Sequence, residues 1–300
     1  MVLFWNTKLN SMKKILFIYI IFPLSIFSQS EKRIALVIGN SDYTTLSKLP
    51  NPVNDAMLIA KTLDSLNFEV TLEKNIKSTR DFQKIIAEFG KKRNSFDVGF
   101  IFYAGHGMQI DGKNYLLPTD EEFSTEPEVK QFAIGVELIM EYLTQQTDQV
   151  NVLILDACRD NPVKNTRSGG KGGLAEVQAK GSLIAFSTTA GNVAEDGDGE
   201  NSIYCMSLAK NMLIEGITLD QVFRNVRKEV LELTAQGTVN YDQLTGEPFY
   251  LVENTYENEF VLIDSLMSDN NDLKALEVVS AILNSDIDNR LALLKKANIY

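Results

Sequence analysis

The sequence predicts an α/β protein built on a mostly parallel sheet of about six strands, with helices on both faces. Short apolar runs recur along the chain, for example at 33–39, 98–104 and 150–155, and such runs are typical of buried strands. Between them lie stretches with apolar residues at helical spacing, as at 52–66 and 78–92. Because strands that alternate with helices need right-handed crossover connections, this order favours a parallel sheet.

The predicted elements follow one another in a regular order. Ser78 is expected to cap the second helix, and Asp111-Gly112 is typical of a hairpin turn. Glycine-rich stretches at 160–180 and 188–201 indicate loops. Strands are predicted at 33–39, 68–72, 98–104, 150–155, 182–187 and, at an edge, 248–252; helices are predicted at 52–66, 78–92, 133–144, 202–214 and 219–233.

The two ends of the chain differ from the predicted central domain, 31–253. Residues 1–30 combine Lys13-Lys14 with the apolar run 15–27 and a cleavage position near Ser28, as in a secretory signal peptide. We therefore expect export to the periplasm or the medium and no stable membrane span, a retained anchor being the alternative. Residues 254–300 predict a tetratricopeptide-like helical hairpin at 273–283 and 289–297. It is either a packing appendage or a surface for a protein partner.

Charge and cysteine count exclude several classes of function. The formal net charge of -11 argues against a nucleic-acid partner, which needs a basic face. Two cysteines, Cys158 and Cys205, cannot form a disulfide framework, and Cys205 lies in a helical pattern that predicts a small buried apolar residue. One histidine and two cysteines cannot supply a usual zinc site, so we expect neither a metal nor a cofactor.

The single histidine and one cysteine each follow a predicted strand. His106 stands in Gly105-His106-Gly107, and Cys158 comes two residues after Asp156. Since the carboxyl ends of parallel strands meet at one edge of a sheet, the two side chains are expected to lie close together. A thiol beside an imidazole can act as nucleophile and acid/base, with the amides of Gly107 and Cys158 holding the oxyanion. Either Asp160 or a backbone carbonyl could orient the imidazole.

The segments Tyr-Ala-Gly-His-Gly at 103–107 and Asp-Ala-Cys-Arg at 156–159 resemble the paired signatures of the caspase, metacaspase and paracaspase superfamily. The segments 38–43 and 54–56 fit its first strand and helix. The later segments 181–191 and 196–202 fit its bacterial branch, so the likeness spans about 33–252. The resemblance implies the caspase-haemoglobinase fold and cysteine endopeptidase activity on protein or peptide substrates.

The resemblance also implies a substrate preference. In metacaspases, the Asp two residues before the nucleophile and the Asp of an Asn-Asp-Ala motif form an acidic S1 pocket, and Asp156 and Asp55 match these positions. Two carboxylates favour Arg, and then Lys, as the P1 residue. Caspases that cleave after Asp carry an arginine in the stretch that here is 47–51, which has none. The alternatives are an Asp-specific peptidase, or purely local roles in which Asp55 caps its helix and Asp156 binds nearby amides.

Two further expectations concern activation. Calcium-activated metacaspases carry clustered aspartates before the helix predicted here at 133–144, where this chain has 134–137 Ile-Gly-Val-Glu, so calcium dependence is not expected. The alternative to an enzyme is a caspase-like scaffold that binds partners through its C-terminal helices. Basic residues in the loop after Cys158 are candidate self-cleavage sites, with a merely solvated loop as the alternative: Lys164, Arg167, Lys171 and Lys180.

Overall fold

Strands and helices alternate along the chain as predicted. The computed structural model describes residues 31–145, 149–158, 181–188, 199–234, 237–285 and 289–299. The strands are β1 (Arg33–Gly39), β2 (Phe68–Lys74), β3 (Val98–Ile110), β4 (Lys113–Leu116), β5 (Ile134–Gly135), β6 (Val150–Cys158), β7 (Ser182–Phe186) and β8 (Val239–Asp242). The helices are α1 (Pro52–Ser65), α2 (Thr79–Arg93), α3 (Glu126–Phe132), α4 (Val136–Leu143), α5 (Ile203–Met212), α6 (Leu219–Thr234), α7 (Glu257–Ser268), α8 (Asp272–Ser285) and α9 (Arg290–Ile299).

The main sheet has the order β2-β1-β3-β6-β7-β8. Its first five strands pair in parallel, and β8 pairs with β7 in the antiparallel sense. The central strands β3 and β6 are buried almost throughout, which explains their continuous apolar sequences. The prediction of an α/β fold with a mostly parallel sheet is therefore confirmed.

Helices cover both faces of this sheet. Because side chains alternate along a strand, Phe100 and Phe102 of β3 pack in one core with α1, α5 and α6. Ile101 and Tyr103 of the same strand pack in a second core with α2 and α4. At the start of α2, Ser78 accepts a hydrogen bond from the Asp81 amide at 3.2 Å, so the predicted cap is present.

β3 continues past the main sheet into a small second sheet. It turns at Asp111-Gly112, where φ is +50° and +74°, and pairs with β4 as the predicted hairpin. β4 then pairs with β5 at Ile134–Gly135. The helix predicted at 133–144 is therefore too long at its start: these two residues are extended, and α4 begins only at Val136.

The predicted edge strand at 248–252 is wrong. The strand at that edge of the sheet is β8, while the carbonyls of Leu251 and Tyr250 accept hydrogen bonds from the Arg33 guanidinium at 2.6 and 3.2 Å. The guanidinium also lies over the rings of Phe68 and Phe249, 5.6 and 5.5 Å from their centroids. Arg33 thus fastens this late segment to the start of β1.

The described residues of the C-terminal region form three helices rather than the predicted two. α7 was not predicted because Val261 and Leu262 lie on its exposed side and blur its pattern. α7, α8 and α9 share a separate core of Phe260, Ile263, Ala275, Val279, Ile282 and Ala292. Whether 254–300 is an independent domain stays a prediction. Among the described residues, no helix is both long and apolar enough to cross a bilayer, and the predicted signal peptide, 1–30, lies outside them.

Candidate active site

The predicted base and nucleophile occupy paired positions on neighbouring strands. β3 and β6 run in parallel, and their register pairs Ala104 with Asp156 and His106 with Cys158. Both residues lie at the carboxyl ends of central strands, where α/β sheets place their sites. The Cys158 side chain lies outside the described part of the structure, so the catalytic roles of the pair stay predictions.

The His106 imidazole is oriented by a backbone carbonyl. Its Nε2 lies 2.8 Å from the carbonyl oxygen of Ser47, in the loop between β1 and α1, and the side chain is buried. Because a carbonyl oxygen can only accept a hydrogen bond, this contact places the proton on Nε2 and the lone pair on Nδ1. Of the two orienting groups considered from the sequence, the structure contains a backbone carbonyl; Asp160 lies outside the described residues.

Two tyrosines hold the backbone of His106. Its N–H donates to Tyr43 Oη at 2.8 Å, and its carbonyl accepts from Tyr103 Oη at 2.8 Å. The Tyr43 ring also meets the imidazole edge-on, with 4.4 Å between centroids. Gly105 makes this arrangement possible, because its φ is +153° and a Cβ there would lie 2.6 Å from Tyr43 Oη. Burial raises the pKa of Tyr103 well above its usual value, so this residue stays a neutral donor.

The two predicted S1 acids converge on the same side of the sheet. Asp55 lies in the first turn of α1 and Asp156 near the end of β6. One carboxylate oxygen of each lies within 4.8 Å of the other and of Cys205 Sγ. Asp55 is only 2% exposed, whereas Asp156 is partly open to solvent. The structure therefore brings the two predicted S1 acids together, and Asp156 lies two residues before the predicted nucleophile.

The start of α5 contacts both acids. Asp55 Oδ1 accepts from the Ser202 amide at 2.9 Å and from Asn201 Nδ2 at 3.0 Å. Asp156 Oδ2 accepts from Ser202 Oγ at 3.3 Å and from Cys205 Sγ at 3.2 Å. Asp55 therefore accepts its hydrogen bonds from the residues that lead into α5, and it does not cap its own helix.

Burial and mutual repulsion both oppose the ionisation of the two carboxyl groups of Asp55 and Asp156. Burial, and next the charge of Asp156, raise the pKa of Asp55 from 3.8 to about 7, although the bonds from Ser202 and Asn201 oppose the rise. Burial also raises the pKa of Asp156. Two acids that ionise at a cost when alone are suited to binding a cation, because its charge offsets burial and their mutual repulsion.

Three contacts of the site were not predicted from the sequence. Ser47 acts through its backbone, which no side-chain pattern reveals. Ser202 was predicted only as the first residue of a helix, which does not show that it contacts two acids. Cys205 is buried as expected and is a free thiol, but it is not a purely apolar packing residue, because its Sγ donates to Asp156.

The other predicted site residues divide into two groups. Gly107 lies in β3 next to His106 and opposite Leu116 of β4, and its oxyanion role stays a prediction, as does that of the Cys158 amide. The candidate self-cleavage residues all lie outside the described part of the chain: Lys164, Arg167, Lys171 and Lys180.

Comparisons with known proteins agree with the predicted resemblance. The family model of the caspase domain matches residues 32–250. Human mucosa-associated lymphoid tissue lymphoma translocation protein 1 is 26% identical over 130 residues, 43% of this chain and 15% of that protein. The paracaspase of Dictyostelium discoideum is 25% identical over 150 residues, 47% of this chain and 34% of that protein. The matches thus span about a third or less of these relatives.

A solved structure supports the same fold. Caspase-1 from Spodoptera frugiperda superposes with a TM-score of 0.56 at 16% sequence identity, over 75% of this chain and 92% of that one. This likeness confirms the caspase-like architecture predicted from the sequence.

Proposed function

Because this chain belongs to the caspase-domain family, whose members are in general cysteine peptidases, we propose that it is an endopeptidase that cleaves peptide bonds after Arg or Lys. The observation that carries the proposal is the position of the acidic pair Asp55 and Asp156. Asp156 lies two residues before Cys158 on β6, and Asp55 lies close to Asp156. The backbone of Cys158 is paired with that of His106. Two acids beside the predicted nucleophile and base support a preference for a cationic P1 side chain.

The proposed reaction uses His106 Nδ1 for proton transfer. Cys158 gives its proton to the imidazole, and its sulfur attacks the carbonyl carbon while the Gly107 and Cys158 amides stabilise the oxyanion. The C–N bond breaks as the leaving amine takes the proton from His106, leaving a thioester. Water then loses a proton to His106 and attacks the thioester carbon. The C–S bond breaks, the acid is released, and the Cys158 sulfur takes the proton back from His106. Ser47 O holds the Nε2 proton, so Nδ1 is the nitrogen that gains and loses a proton.

The pocket supports a basic rather than an acidic P1 residue. A P1 aspartate would bring a third carboxylate next to Asp55 and Asp156, which like-charge repulsion opposes. A P1 arginine would supply a positive charge to balance the two carboxylates, and its guanidinium could pair with both at once.

Reporter peptides that differ only at P1 test the proposal. The wild type is expected to cleave after Arg and Lys and not after Asp, and Cys158→Ala to lose activity at least about 10³-fold. Asp156→Asn is expected to weaken cleavage after Arg while leaving the protein folded. Equal signals from the wild type and Cys158→Ala would contradict the enzyme; cleavage after Asp alone would contradict the specificity.

A scaffold is the second candidate, because α7, α8 and α9 expose large apolar side chains. Leu273 is 80% exposed, Val261 65% and Leu294 62%. Such side chains can contact a protein partner. Equal reporter signals from the wild type and Cys158→Ala would favour this role over catalysis.

We further propose that the protein is exported and cuts itself. N-terminal sequencing of protein from the envelope and medium is expected to find a start near residue 29; an uncut chain in the cytoplasm would contradict export.

Intact mass measurement of the wild type and Cys158→Ala tests the proposal of self-cleavage. Cuts confined to the wild type are expected after one or more of Lys164, Arg167, Lys171 and Lys180.

A further inference from the structure

One residue joins the two acids of the proposed S1 pocket. The Ser202 amide donates to Asp55 Oδ1 at 2.9 Å, and its hydroxyl lies 3.3 Å from Asp156 Oδ2. Asp55 belongs to α1 and Asp156 to β6, and Ser202 at the start of α5 contacts both. Ser202 is 4% exposed, so these contacts are shielded from water.

The direction of the Ser202 hydroxyl follows from its role as a helix cap. Its oxygen accepts the Cys205 amide of α5 at 3.1 Å, which leaves its hydrogen to be donated to Asp156. Cys205 Sγ donates to the same carboxylate oxygen at 3.2 Å. The positive end of the helix therefore faces both acids, and Ser202 and Cys205 at this helix end donate to them. Asp156 also accepts a hydrogen bond from the side chain of Ser187.

We propose that Ser202, assisted by Cys205, is a specificity-determining residue that holds the two carboxylates at the spacing a planar guanidinium takes, and so favours Arg over Lys at P1. The inference rests on the proposed peptidase function and concerns the same pocket. A guanidinium presents its N–H groups in a fixed fork and needs acceptors at fixed places, whereas an ammonium is a compact charge that adapts to acceptors that move. Loosening the pair should therefore cost Arg more than Lys.

The ionisation of the pocket works in the same direction. The bonds from Ser202 and Asn201 lower the pKa of Asp55 against the opposing effects of burial and of Asp156. Hydrogen bonds from Ser187, and next from Cys205 and Ser202, lower the pKa of Asp156 against the opposing effect of burial. Without the Ser202 hydroxyl, Asp156 loses one of the bonds that stabilise its charged form, so a P1 cation meets less negative charge.

The experiment compares kcat/KM for two reporters that differ only in Arg or Lys at P1. The ratio of the two values does not depend on how much of a variant is folded. Ser202→Ala is expected to lower the Arg:Lys ratio about five- to tenfold, mainly through KM for the Arg reporter. Ser202→Thr, which keeps the hydroxyl and the cap, is expected to restore most of the wild-type ratio.

Ser78→Ala is the matched control. Ser78 caps α2 as Ser202 caps α5, accepting the Asp81 amide at 3.2 Å, but it lies outside the pocket. Its loss costs a helix cap and should leave the Arg:Lys ratio unchanged. Cys205→Ala and Cys205→Ser form a second pair of similar size, of which only the serine keeps a donor to Asp156. The alanine is expected to lower the ratio more than the serine.

The outcomes separate the inference from the function on which it rests. A wild type that cleaves neither reporter overturns the proposed function, and the inference with it. A wild type that cleaves the Arg reporter, together with an unchanged ratio in Ser202→Ala, overturns the inference alone. If Ser202→Ala does not fold, equal ratios in Cys205→Ala and Cys205→Ser overturn it instead.

Discussion

Replacing Asp55 by asparagine should make the protein more stable while removing its proposed substrate preference. The folded protein raises the pKa of this carboxyl from 3.8 to about 7, because it is buried and lies close to Asp156. A group that binds its proton more tightly when folded favours the folded state at low pH. That benefit is lost as the pH rises from about 4 towards 7, since the unfolded chain ionises first.

The size of the effect follows from this shift. Each unit of pKa is worth about 1.4 kcal/mol, so ionising Asp55 reduces stability by about 4 kcal/mol in full, of which about 2–3 kcal/mol falls between pH 5 and pH 8. Asparagine avoids the charge and keeps an oxygen that can accept from the Ser202 amide and Asn201 Nδ2. Its amide hydrogens can also donate to Asp156, where a second carboxylate only repels.

Urea unfolding of the wild type and Asp55→Asn at pH 5 and pH 8 measures this difference. The advantage of the variant should grow by about 2–3 kcal/mol between the two pH values. Asp81→Asn, an exposed change in the first turn of α2, controls for the general effect of removing a surface carboxylate. An advantage that does not change with pH, or a variant less stable than the wild type at pH 8, would refute the reasoning.

Three further predictions concern the same framework. Cleavage after Arg should fall about tenfold per pH unit below 7 as Asp55 gains its proton, in a profile of kcat/KM against pH; a profile flat from pH 5 to 7 would contradict the pocket. Tyr43→Phe leaves the buried His106 amide without its acceptor, so kcat should fall several-fold and stability by about 1–3 kcal/mol, while an unchanged kcat would remove Tyr43 from the site. Arg93→Met removes hydrogen bonds to Phe96 O, Val150 O and Asn151 Oδ1. It should lower the free energy of unfolding in urea by about 3 kcal/mol and leave kcat per folded molecule unchanged. A loss below about 1 kcal/mol would show those bonds to be dispensable.

The placement of the site was predictable because it depends on local pattern and parallel topology. An apolar run that ends in Gly-His-Gly and another that ends in Asp-Ala-Cys must bring their last residues to one edge if both are central strands. The observed register, which pairs His106 with Cys158, agrees with that expectation. Asp55 could be assigned only through the resemblance to metacaspases, since nothing in its helical pattern shows that it meets Asp156.

The unpredicted features depend on partners that are distant in sequence. The carbonyl of Ser47 orients His106, and every residue type has a carbonyl. The segment 248–252 has the composition of a strand, yet its carbonyls bind a guanidinium 218 residues earlier in the chain. Cys205 has the spacing of a core residue, and only the approach of β6 gives its thiol a polar partner. Periodicity indicates which side of an element is buried and not what it is buried against.

The contact of Arg33 with Leu251 brings the first strand of the caspase-like region together with its last segment. This junction lies at the amino end of β1, whereas His106 and Cys158 lie at the opposite, carboxyl end of the sheet. The caspase-like region therefore begins and ends at one corner, at the opposite end of the sheet from the candidate site. Further segments can be joined to either end of the region without covering that site, which is the geometry of a domain that can be inserted into longer proteins.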